Sequence, residues 1–162
     1  MEISNCSLQH PIKWVEWPIS LSHLAHGDPM LSAFAIAEKP LLEVLPLVRH
    51  GLPAAMFEQV AATLGFSSTA LAAKLGIARR TVTRKRGSGA PLSSETSEKL
   101  LRVARIRNLG RLLFSTDVAV SQWMSKTDTA LGNMAPIDLL DTDLGAREVE
   151  NLLQSLAYGQ FA

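Results

Sequence analysis

Between Arg79 and Arg86 the chain reads RRTVTRKR, five cations in eight positions with Thr81, Thr83 and a single apolar residue, Val82. Guanidinium and ammonium groups at this density suit a polyanion. Arginine forks match phosphate oxygens and guanine edges in geometry as well as charge, and hydroxyls adapt to either. Elsewhere the residues that catalyse are sparse. The four histidines are His10, His23, His26 and His50, and the one close pair, His23 and His26, lacks the further ligands a metal needs. Asp138, Asp141 and Asp143 are more simply helix caps than a cation site. Cys6 is the single cysteine and has no internal disulfide partner. The sequence contains no Walker A run, no dinucleotide fingerprint and no G-x-S-x-G element. No catalytic residue, metal or cofactor is expected, and the chain reads as a non-enzyme.

Recognition by such a cluster depends on the elements that hold it. Met56, Val60 and Leu64 recur every four residues and give one apolar helix face, with Gly65 as its stop. Ser67 or Ser68 is positioned to cap a second helix, in which Leu71 and Leu75 point inward and Ala72 admits a close neighbour. Gly76 supplies a tight turn, Ile77 plugs it, and a third helix is expected from about 78 to 86. A short helix, a glycine turn and a second short helix form a helix-turn-helix. In such a module the exposed N-terminal residues of the second helix meet base edges and those near its end meet phosphates. Arg79, Arg80 and Thr83 are therefore the base-reading candidates, Arg84, Lys85 and Arg86 the backbone-positioning ones, and Thr81 lies among them. The bland alternative is a solvated basic helix end.

Charge is distributed in agreement with a nucleic-acid partner for the centre. Residues 1–48 carry two basic and five acidic side chains, residues 49–111 twelve and three, and residues 112–162 two and seven. A net charge of +1 thus conceals a basic middle between acidic flanks. The first 30 residues hold Trp14, Trp17, Pro18 and Pro29 without a period and read as an irregular arm. The segment 31–51 is helical in composition, with Pro40 and Pro46 starting, kinking or ending helices. Residues 87–95 read as a linker, after which a long helix is expected over about 97–114, with several capping choices: Ser94 can cap it or Pro91 can begin the turn. Its stripe of Leu100, Leu101, Val103, Ala104, Ile106, Leu109, Leu112 and Leu113 is wider than one partner helix needs, which suits either a central core helix or a subunit contact. Leu101, Ile106, Leu109 and Leu113 are the dimerisation candidates. Lys99, Arg102, Arg105, Arg107 and Arg111 either extend the DNA-facing field or face solvent. Three shorter helical pieces follow: one capped by Asp117, one opened by Pro136, and a last one capped by Asp141 or Thr142 and running through Leu156. Its buried side is expected to be Leu144, Val149, Leu152, Leu153 and Leu156. The division is a lead-in over 1–48, a helix-turn-helix domain over 49–90 and a small helical domain over 91–162, all-α throughout. No stretch approaches eighteen consecutive apolar residues and no secretory signal opens the chain, which places it in the cytoplasm and away from membranes.

The run SEKLLRVARIRNLGRLLF, with Trp123, Ala130, Leu131, Gly132, Pro136, Leu139, Leu140, Thr142, Gly145, Ala146, Val149, Leu152 and Tyr158-Gly159 after it, resembles the antitoxin and toxin-binding domain of the Xre/MbcA/ParS family. The preceding GLPAAMFEQVAATLGFSSTALAAKLGIARRTVTRKR is similar to the Xre-like helix-turn-helix that accompanies it. The resemblance covers about residues 49–162. It implies the antitoxin of a bacterial type II toxin–antitoxin pair whose usual partner is a RES-domain toxin. Such toxins resemble ADP-ribosyltransferases and deplete NAD, so the chemistry belongs to the partner. It further implies that the C-terminal domain covers the toxin's cleft, with Arg147, Glu148, Glu150, Asn151, Tyr158, Gln160 and Phe161 at the contact. Operator binding as a homodimer, or within a larger toxin-containing complex, would repress the operon. Ala135 stands where similar proteins carry a capping Thr before Pro136. Two rival readings use the same residues differently. A stand-alone repressor has no use for an aromatic C-terminal hook, and a localisation adaptor has none for Arg79 or Arg84.

Overall fold

The computed structural model describes residues 32–159, and these form an all-α protein. The helices are α1 (Ala33–Ala37), α2 (Leu41–His50), α3 (Ala54–Thr63), α4 (Ser68–Lys74), α5 (Arg79–Ser88), α6 (Ser94–Leu113), α7 (Asp117–Ser125) and α8 (Asp143–Tyr158). Two 3-10 turns, Thr129–Leu131 and Pro136–Leu139, lie between α7 and α8. Among the described residues no strand forms, apart from a single antiparallel bridge between Asp128 and Met134. None of the described helices is long and apolar enough to cross a membrane.

The organising element is α6, against which α1, α2, α3, α7 and α8 all pack. This explains the breadth of its apolar stripe. Leu100, Leu101, Val103, Ala104 and Ile106 are buried within the chain itself, and Leu109 and Leu113 are half-buried against the same core. Ile106 is fully buried, and Leu101 keeps only 7% of its surface. The exposed leucine of α6 is Leu112, at 81%. Gly110 lets α7 approach, since a Cβ there would stand 3.1 Å from Val120 Cγ1.

Capping fixes the helix starts, in several places one residue from where the sequence suggests. Ser93, not Ser94, caps α6 by accepting from the Thr96 amide at 3.2 Å. Thr116, not Asp117, caps α7, and Thr142 caps α8. The 3-10 turn at Pro136 has no side-chain cap, because Ala135 has nothing to offer and is buried instead. Pro40 precedes α2, whereas Pro46 sits inside it on an exposed position. The expected linker is shorter than its composition suggests. Helix α5 runs through Gly87 and Ser88 to a left-handed Gly89, and Leu92 is buried, its amide donating to Leu52 O at 2.8 Å. Gly51 makes that approach possible: it has φ +95°, and a Cβ there would meet Leu92 O at 2.0 Å.

Candidate nucleic-acid interface and partner-binding end

Helices α3, α4 and α5 pack on one another as a three-helix unit. Met56, Val60 and Leu64 of α3 are all buried, as are Leu71, Ala72 and Leu75 around α4. Ser67 accepts from the Ala70 amide at 3.1 Å, which sets the start of α4. The turn follows the expected chemistry. Gly76 takes φ +62°, where a side chain is strained, and Ile77 folds back beneath it with its amide on Ala72 O at 2.8 Å.

On α5 the inward anchor is Val82, and Arg79, Arg80, Thr83, Arg84 and Arg86 are exposed while Thr81 and Lys85 are half-buried. The helix therefore presents its cations outward. These cations fall at both ends of the helix dipole. Lys85 and Arg86 complement the negative C-terminal end of the helix dipole, but Arg79 and Arg80 sit in its first turn, where positive charge is locally unfavourable. Ala78 at the N-cap offers no side-chain acceptor, and of the first amides of α5 that of Thr81 donates to Ala78 O at 2.8 Å. An anion laid against this end satisfies both. Two candidates are partly engaged: Thr83 donates its hydroxyl to Arg79 O at 3.2 Å, and Arg86 Nε lies 3.0 Å from Glu58 Oε1 on α3.

The cations of α6 have a different role. Lys99 donates to Leu75 O at 3.0 Å and pairs with Glu95. Arg102 is buried and donates to Leu140 O at 3.1 Å. Arg105 pairs with Glu150 at 2.5 Å, and Arg107 with Asp117 at 2.5 Å while its guanidinium lies over the Phe34 ring. Arg111 donates to Phe114 O. None of the five extends the DNA-facing field as a free charge; each ties α6 to a neighbouring segment. In the basic stretch, the cations without an ion-pair partner among the described residues are Arg49, Arg79, Arg80, Arg84 and Lys85, four of them on α5. Sequence reading could not separate the two sets, because partners such as Glu150 lie 45 residues away.

At the other end, α8 buries Ala146, Val149, Leu152 and Leu153. Gly145 lets α8 start against the preceding turn, as a Cβ there would stand 2.2 Å from Leu139 O. Leu144, Glu148, Asn151 and Tyr158 are exposed and share one face at helical spacing, with Ser155 between the last two half-buried. Leu144, expected on the buried side, is instead 76% exposed, and Leu156 is 41% exposed. The spacing held the signal: Leu144 is five residues before Val149, off the inward period on which Ala146 falls. Arg147 is exposed and pairs with Asp143. Glu150 is the exception among the sequence candidates, since its carboxylate is already held by Arg105. Gln160 and Phe161 lie outside the described residues, as do Cys6, His10, His23, His26, Trp14 and Trp17. Among the described residues no cluster of three His, Cys, Asp or Glu side chains is placed to hold a metal. Asp138 serves a different purpose, pairing with Lys74 of α4 at 2.6 Å.

Comparison with known proteins matches both halves of this arrangement. Residues 43–105 match the antitoxin Xre-like helix-turn-helix domain, and residues 109–159 match the antitoxin Xre/MbcA/ParS C-terminal toxin-binding domain. The chain is 27% identical over 147 residues to a Prs ADP-ribosylating antitoxin of Sphingobium sp. (strain YBL2), covering 84% of this chain and 91% of that protein. It is 35% identical over 88 residues to an antitoxin Xre of Yersinia enterocolitica, covering 54% of this chain and 60% of that one. An antitoxin Xre of Photorhabdus laumondii is 23% identical over 139 residues, 85% and 94% of the two chains.

Proposed function

We infer, for a chain that belongs to the Xre/MbcA/ParS family of antitoxin-like proteins and is a binding protein rather than an enzyme, that it neutralises a cognate RES-domain, NAD-degrading toxin by covering its active site. The observation that carries this reading is the exposed face of α8, from Leu144 through Glu148 and Asn151 to Tyr158, within the residues that match a toxin-binding domain. An aromatic side chain that is 78% exposed at the end of a helix is an anchor awaiting a pocket. Arg147, Glu148, Asn151 and Tyr158 supply the contact, Gln160 and Phe161 continue it, and Glu150 supports it through Arg105.

The same protein binds operator DNA through α5 and represses its own operon from the cytoplasm. Arg79, Arg80 and Thr83 read bases, Arg84, Lys85 and Arg86 hold phosphates, and Thr81 supports the first turn. A homodimer places two such helices on a palindrome. Of the α6 candidates, Leu109 and Leu113, with the exposed Leu112 beside them, offer the most surface to a second copy, and the fully buried Ile106 offers none.

The Sphingobium relative favours a second reading of the partner's chemistry, in which ADP-ribose passes from NAD to a protein acceptor instead of to water. Both reactions break the bond between nicotinamide and ribose. Co-purification with the neighbouring gene's product, with complex mass and release of nicotinamide recorded together, tests the shared part. A stable complex with release suppressed supports neutralisation, whereas no complex and no inhibition refutes it. Radiolabel from NAD found on protein, rather than as free ADP-ribose, selects the second chemistry.

A further inference from the structure

A groove of about 350 Å³ runs between α2, α6 and the start of α8. Its apolar wall is Leu41, Val44, Leu45 and Val48 of α2 with Leu101 of α6. Leu41 and its neighbour Leu42 are 73% and 78% exposed, side by side at the first turn of α2, from which Val44, Leu47 and Val48 pack on the core. Arg49 stands in the lining at the far end of α2, without an ion-pair partner among the described residues. Arg102, whose side chain is only 9% exposed, also lines the groove, donates to Leu140 O and lies 3.7 Å from Glu98, which lines the groove too, as do Arg105 and Asp143. Neither the DNA-binding face on α5 nor the exposed stripe of α8 uses this wall.

We propose that the groove is the docking site of the chain's own N-terminal arm, the segment WVEWPISL from Trp14 to Leu21. Three observations select that occupant. Its composition fits: two tryptophans and Ile19 match the leucine and valine wall, and Glu16 between the tryptophans matches the unpaired Arg49. Charge agrees more widely, since residues 1–31 carry three acidic side chains, Glu2, Glu16 and Asp28, against one basic, Lys13. Reach is ample as well. The arm joins the described fold at Ser32, immediately before α1, and α1 lies on α6 with Phe34 O accepting from Asn108 at 2.9 Å. Asn108 is three to seven residues along α6 from the groove residues Arg105 and Leu101, about 5–10 Å of helix rise. The fifteen residues from Trp17 to Ser32 span up to about 50 Å when extended. The docked arm covers Leu41 and anchors α2, through which the lead-in connects to the helix-turn-helix.

The test uses the full chain and tryptophan emission. Subtracting the spectrum of a Trp14→Phe/Trp17→Phe variant isolates the arm's two indoles from Trp123. The expected difference spectrum is blue-shifted, and Leu41→Lys/Leu45→Lys, at an exposed and a half-buried position, shifts it to the solvent-exposed range with far-UV helicity unchanged. A difference spectrum already at the solvent-exposed wavelength overturns the proposal. A blue-shifted spectrum indifferent to the groove substitutions places the arm elsewhere and overturns it too, and a shift that grows with protein concentration assigns the groove to a second copy. Should the lysine pair lower the helicity, a disulfide between Trp17→Cys and Leu45→Cys in a Cys6→Ser chain gives the same decision. An intrachain bond at dilute concentration is expected, and its absence refutes cis docking.

Discussion

Arg84→Ala and Arg105→Ala remove the same charge from the same basic stretch of sequence, yet the proposed role of α5 predicts opposite outcomes for DNA binding. Arg84 is exposed on α5 and has no ion-pair partner among the described residues, while Arg105 Nε is 2.5 Å from Glu150 Oε1. If Arg84 holds one phosphate, a dimer on a two-fold operator loses two contacts, and the slope of log affinity against log salt becomes shallower by about 1.8. Over a rise from ~50 to ~200 mM salt, that change makes the variant's loss of affinity about twelvefold smaller than the parent's. Arg105→Ala leaves the slope unchanged. Its effect appears instead in stability, at about 0.2–1 kcal/mol for a half-exposed pair, together with some freedom of α8. Titrating both variants against a labelled operator fragment at several salt concentrations is sufficient. Equal shallowing by the two would mean that net charge, not placement, governs binding; an unchanged slope for Arg84→Ala would remove α5 from the interface.

Gly145→Ala should destabilise the fold by about 1–3 kcal/mol, because the new Cβ meets a backbone oxygen that no side-chain rotation can move aside. A melting temperature equal to the parent's would contradict that geometry. Ile106→Ala should cost about 2–5 kcal/mol at every protein concentration, since its side chain is fully buried within one chain. A loss that vanishes as concentration rises would instead assign Ile106 to a subunit contact. Tyr158→Ala should raise the dissociation constant for the toxin by about thirtyfold, the equivalent of about 2 kcal/mol for a truncated aromatic anchor, with circular dichroism unaltered. Unimpaired neutralisation would move the inhibitory contact away from the end of α8.

The helix-turn-helix was legible because its constraints are local. Apolar residues at spacing four, a glycine where φ must be positive and a lone Val82 among polar neighbours each act within a turn of helix. Caps were legible to within one residue. Ser93 and Ser94, or Thr116 and Asp117, offer the backbone equivalent local bonds, and only the path of the incoming chain decides which residue lies in the extended region. Long-range partners were not legible. Nothing near Arg102 or Lys99 indicates that their acceptors are the carbonyls of Leu140 and Leu75, so five structural cations read as either part of a DNA-facing field or solvent-facing. The width of the α6 stripe was visible, but deciding between core and interface required knowing that α1 and α8, far apart in sequence, both pack on it.

Those same ties bear on how the two proposed activities share one molecule. Helix α4 is held to the C-terminal region by Lys74 and Asp138, its last carbonyl is held to α6 by Lys99, and Ser121 of α7 donates to Leu64 O at the end of α3. The short connection after α5 is itself fixed by Leu92 and Leu52. The helix-turn-helix unit is therefore not a head on a flexible tether. Its orientation follows that of α6 and α8, so whatever brings two α8 faces together also sets the separation and angle of two α5 helices. A flexible linkage would tolerate many operator spacings, each at reduced effective concentration; a rigid one concentrates the gain on the spacing that matches its geometry. Occupation of α8 by a toxin can then select which operators are bound without the toxin touching DNA, through the placement of the heads alone.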